Sequence, residues 1–174
     1  MSCIDREEMS VKALVDSTKA QVEALSREHF AVMLKAQDTK RLICEKCQEL
    51  RDWAEKMCKQ IKDAKFIKHA RKMLENEIEP YTEMEIDNAC KILKKAIDDV
   101  NNKSLLSKLK RNKESKYTEI VKAYIFILEY ADNKEESANK CCSLEIQNSY
   151  SDTKGKILVK IQELKNQLDM LIEV

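Results

Sequence analysis

Almost nothing in this chain lets a backbone reverse direction: there is one glycine and one proline in 174 residues. A sandwich or barrel needs turn residues every ~8–12 positions, so a sheet-based fold is excluded. Aromatic residues are only 5 % of the chain, few for a globular core that anchors on large rings. No apolar run approaches the roughly 18 residues of a membrane span. Charge of one sign is missing too, with 32 Lys and Arg against 31 Asp and Glu. A nucleic-acid-binding chain usually carries a basic surplus, so its absence argues against nucleic acid as a partner. There is no phosphate-binding loop, no pair of acids with catalytic spacing and no nucleophile with a base. A non-catalytic protein without a cofactor is the expectation.

The first residues, Met1-Ser2-Cys3-Ile4-Asp5-Arg6-Glu7-Glu8, are acidic and polar and read as neither a secretory signal nor a transit peptide. An intracellular location, in the cytoplasm or alternatively the nucleus, is the expectation. Its seven cysteines are then expected as free thiols.

What is present is helix. Charged residues make up 36 % of the chain, and Ala, Leu, Lys, Glu, Gln, Met and Arg dominate, the profile of long helices and coiled coils. Val11, Val15, Thr18, Val22, Leu25, His29, Val32, Ala36, Thr39 and Ile43 follow one another in alternating steps of four and three, a heptad seam. After a four-residue stutter at Cys47 it resumes as Leu50, Ala54, Met57, Ile61 and Ala64. With no Gly or Pro between residues 5 and 78, one helix of roughly 70 residues is predicted there. The seam is too long for the shorter helices to cover, so a homodimer, or a coiled coil with a partner protein, is expected.

Pro80 is the first clear stop. Thr82 and Glu85 have capping-box spacing, and Tyr81 with Ile86 hydrophobic-staple spacing, predicting a helix from Thr82. That helix carries Ile86, Cys90, Leu93, Ile97 and Val100, with Asn101-Asn102 as its break. A helix from Ser115 to Ala131 follows, and its stretch 120–128 is apolar nearly all round, as befits the centre of a core. Residues 148–155, ending in Gly155, read as a loop. The last helix has Ile157, Ile161, Leu164, Leu168 and Leu171 on a seam. The predicted architecture is all-α, a long coiled-coil-type helix followed by three or four shorter ones in an elongated bundle. The divisions are 1–79 (long helix), 80–147 (helical hairpin or bundle), 148–155 (loop) and 156–174 (C-terminal amphipathic helix).

Candidate sites are few. Cys44 and Cys47 form a CxxC, with Cys58 and His69 following at spacings of eleven. On one straight helix Cys44 and Cys58 lie about 21 Å apart, too far for one tetrahedral metal site. A structural reading is preferred over a metal- or redox-responsive one. Vicinal Cys141-Cys142 is read as filler. His29, in the seam, is read as a polar register marker, and Trp53 as a packing anchor. A basic run includes Lys59, Lys62, Lys65, Lys68 and Arg71, and a second, within 103–116, includes Lys110 and Arg111. Either could bind an anionic membrane or nucleic acid. A period of three slips about 60° per step on a 3.6-residue helix. On a continuous helix the first run therefore winds around the rod, and peripheral membrane contact is not favoured. The resulting expectation is an interaction or scaffold protein that self-associates and docks partner helices.

Overall fold

The computed structural model describes residues 3–76, 78–102 and 113–172, with side chains described within 8–76, 78–102 and 115–171. It is all-α, with four helices among the described residues. They are α1 (Cys3–Lys59), α2 (Ala64–Glu75), α3 (Ile86–Asn101) and α4 (Lys113–Ile172). Two compact units result: Met1–Arg41 with Asn139–Val174, and Leu42–Ala138.

The unit formed by Leu42–Ala138 holds the main core. Leu93, Ile97, Ile120 and Ile127 are its largest fully buried side chains. Ala54, Ala89, Ala96 and Ala123 are equally buried, and their small side chains let the helix axes approach closely. The α3 stripe read from sequence faces this core, with Leu93, Ile97 and Val100 buried and Ile86 and Cys90 packed against it. The all-round apolar stretch 120–128 lies at the centre, as expected. Trp53 packs at the core's edge.

The predicted 70-residue helix does not form. α1 stops at Lys59 and α2 restarts at Ala64, with neither Gly nor Pro at the break. Two polar side chains hold it instead. Asn101, at the end of α3, accepts from the Lys62 backbone N–H at 3.0 Å and donates to the Gln60 carbonyl at 2.9 Å. Asp63 is the N-cap of α2 and accepts from the Lys65 N–H at 3.0 Å. Its other carboxylate oxygen accepts from the Tyr117 hydroxyl on α4 at 2.7 Å. Asp63 is the one acid in the first basic run, and a lone Asp before a helical stretch is an N-cap signal.

Pro80 does not end the preceding helix, because α2 already closes at Glu75 with Asn76 as C-cap. Nor does Thr82 cap the next. Residues 78–85 are non-helical and α3 begins at Ile86, with Glu85 as N-cap and no side-chain cap hydrogen bond. Ile78, Tyr81, Met84 and Ile86 all pack against the core in this non-helical approach to α3.

The expected loop at 148–155 is also helix, part of an unbroken 60-residue α4. From Ala131 to Leu171 the only residues not exposed are 131, 135, 138, 142, 146, 149, 153, 157, 160, 164, 168 and 171. The steps are four, three, four, four, three and onward, an 11-residue repeat close to the natural 3.6 period. Of the polar segment 148–155, this repeat asks only Ser149 and Thr153 to face inward. The rest suit a solvated helix surface. A Cβ built on Gly155 meets nothing within 4 Å.

Two outcomes follow. Gly155→Ala is expected to stabilise the chain by about 1 kcal/mol, since it adds helix propensity in open space. Asp63→Ala removes the cap and the acceptor of Tyr117 together, and is expected to cost about 1–3 kcal/mol. Urea denaturation followed by circular dichroism measures both.

Candidate interaction surfaces

The unit of Met1–Arg41 and Asn139–Val174 is a two-helix pair. α1 leaves it at Arg41 and α4 enters it at Asn139, so the two helices run antiparallel within it. The inward positions of its α1 segment are Leu14, Thr18, Val22, Leu25, His29, Met33, Ala36 and Lys40, with Ala24 beside them. Their steps are four, four, three, again an 11-residue repeat and not the predicted heptads. The difference changes which residues face inward. Val22, Leu25 and His29 are half-buried, whereas Val11, Val15 and Val32 are exposed. On α4, Ile157, Leu164, Leu168 and Leu171 are half-buried, and Ile161 is exposed because Lys160 takes the inward place. A heptad slips about 20° per repeat against a straight α-helix, and without supercoiling the seam drifts off the contact line.

The α1 seam thus has a partner in its own chain, in the last helix. The expectation that one copy could not cover it is corrected to that extent. The cover is partial: among the described residues of this unit only Ala36 and Cys142 are buried. His29 does sit in the contact, with Nδ1 2.9 Å from the Ser149 hydroxyl and its ring edge-on to Tyr150 at 5.9 Å.

In the unit of Leu42–Ala138, the seam residues Ile43, Leu50 and Met57 are half-buried on α1. Ile61 lies beyond the helix end, packed against the core. Here α1 and α4 are joined by Arg51. Its guanidinium grips both oxygens of Glu135, at 2.6 and 2.8 Å, and reaches Asp132 at 2.5 Å. The hydrogen bond from Arg51 holds the Glu135 carboxyl below its usual range. Asp132, Asn133 and Lys134 are helical and exposed on α4.

Cys44 and Cys47 lie on the inward face of α1, half-buried and buried respectively. Burial raises the Cys47 thiol pKa, with Glu135 adding to it. Burial pushes Cys58 up to about 11, with a smaller contribution from Glu55. Thiols so placed stay protonated at neutral pH and are poor nucleophiles. Among the described residues no three His, Cys, Asp or Glu are grouped to hold a metal ion. Cys142 is buried and Cys141 exposed. A cavity of ≈ 430 Å³ is lined by Pro80, Tyr81, Phe126, Glu129, Tyr130 and Lys134 among others. It is an open cleft between the 78–85 segment and α4.

Of the anion-binding candidates, Lys110 and Arg111 lie outside the described residues. Lys59 ends α1 and pairs with Glu55 at 3.3 Å, and Lys62 lies in the break. Lys65, Lys68 and Arg71 are on α2 and exposed. Among the described residues no helix is long and apolar enough to cross a membrane.

Removing the Arg51 clamp is expected to cost about 1 kcal/mol at neutral pH, since Asp132 is largely exposed and water screens it. Glu135 has a lowered folded-state pKa, so its contribution is complete above the unfolded value of about 4.3 and fades as pH falls through the folded one. The stability gap between wild type and Arg51→Ala, read by urea titration, should shrink below about pH 4.

Comparison of the chain with known protein families, with curated proteins and with solved structures gave no match.

Proposed function

We propose that the chain is a non-catalytic helical interaction protein that self-associates through its two-helix unit. One observation carries this reading. Among its described residues that unit buries only Ala36 and Cys142, yet it leaves Val15, Phe30, Leu34, Tyr150, Leu158 and Ile161 at 38–58 % exposure. Helical phase places these six on the same side of the antiparallel pair. Relative to the centre of the inward stripe, Val15, Tyr150 and Ile161 lie roughly 65° around, and Phe30, Leu34 and Leu158 roughly 100–130° around, in the same sense. In antiparallel partners equal phases fall on the same side of the pair.

Two helices with narrow stripes make a marginal structure, since most helix stability in proteins comes from packing of a broad apolar face. Stacking the apolar side on that of a second copy makes a four-helix bundle, the usual way for such hairpins to complete a core. Because the two-fold operation brings the same surface to both sides, one patch suffices. The core of the other unit is formed within one copy.

Sedimentation with molar-mass determination tests the idea. The wild-type chain is expected to be a dimer at micromolar concentration. Phe30→Glu with Leu158→Glu should yield monomers that keep the core helices by circular dichroism. A wild-type chain that stays monomeric at high micromolar concentration would overturn self-association.

A further inference from the structure

We infer that the outward face of α2 is a docking surface for an anionic lipid bilayer. On one unbroken rod the basic run of residues 59–72 winds around the axis and presents no stripe. The break at residues 60–63 changes that. Within the 12-residue α2, Phe66 is buried and Ala70 and Met73 pack against the core. The inward side is thereby fixed. Lys65, Lys68, Arg71 and Lys72 then share one exposed arc of roughly 120°. None of the four enters an ion pair among the described residues. They line a shallow depression of ≈ 470 Å³ with His69 and Glu75. Glu75 is the one acid on the arc, at its C-terminal end.

The edge of this arc distinguishes a bilayer from other polyanions. Ile67 is 60 % and Leu74 47 % exposed. Seven residues apart, they lie on one line along the helix, next to Arg71. Bases beside protruding aliphatic side chains match a surface with phosphates above and acyl chains beneath. A nucleic-acid backbone would use the bases and leave Ile67 and Leu74 in water. The arc also carries no Phe, Tyr or Trp on which a base could stack. Because the larger apolar side of α2 is already committed to the core, contact is mostly electrostatic. It requires anionic lipid and weakens with salt.

The full chain would be sedimented with vesicles of phosphatidylcholine alone and of phosphatidylcholine with phosphatidylserine, at low and near-physiological salt. Binding is expected only with phosphatidylserine, and weaker at the higher salt. Lys65→Glu with Lys68→Glu and Lys72→Glu should weaken it at least about tenfold. The milder Lys→Gln set should weaken it less, with helix content unchanged in both. Ile67→Ser with Leu74→Ser should weaken it at constant charge. Failure to bind phosphatidylserine vesicles at low salt overturns the inference, as does equal binding by the Glu variant. So does tighter binding to duplex DNA or single-stranded RNA that ignores the Ser pair.

Discussion

The carboxylate of Asp63 ties the start of α2 to α4. One oxygen caps α2, and the other accepts from Tyr117, whose ring lies 4.8 Å from that of Phe66. Phe66 is the buried residue of α2. The side chain that starts the helix is thereby tied to the contact that docks it. Asn101 completes the break by satisfying the Lys62 N–H and the Gln60 carbonyl. The one local signal at the break is the Asp63 cap, with neither Gly nor Pro beside it. The break is therefore a tertiary event, made by residues about 40 and 54 positions away.

The same break sets the charge distribution. Basic residues at a spacing of three are dispersed on a long helix and concentrated on a short one whose inward side is fixed. Length and phase, and not composition, decide whether such a run forms a face. A balanced total charge accordingly says little about local potential. The acids are concentrated elsewhere, as in the Glu79–Asp87 stretch leading into α3.

A second constraint is the 11-residue phase of the long helices. Ideal α-helices of 3.6 residues per turn stay in register with an 11-residue repeat much longer than with seven. Lys160 accordingly takes the inward place next to Ile161, and Ser149 and Thr153 lie in the contact line. Polar residues in a seam favour one register over others, and here His29 and Ser149 meet at 2.9 Å. They also limit how much apolar area two helices can bury, and that shortfall is the physical root of the exposed side chains on the two-helix unit.

The all-helical class was legible from residues 1–174 alone, because one glycine and one proline leave no means of building sheets. So were the α3 stripe from Ile86 to Val100 and the central position of residues 120–128, where apolar spacing is dense enough to survive any small phase error. Asp63 is a residue type that caps helices, but its spacing alone does not set it apart from the other polar residues of the run. Only the tertiary structure decided where α1 stops, that α4 continues through Asn148–Gly155, and which of Val15, Val32 and Ile161 face outward. Those outcomes depend on which distant group satisfies a backbone amide and on which helix lies opposite. Neither is encoded in spacing along a single segment, because periodicity fixes a face only relative to a partner whose position the chain supplies later.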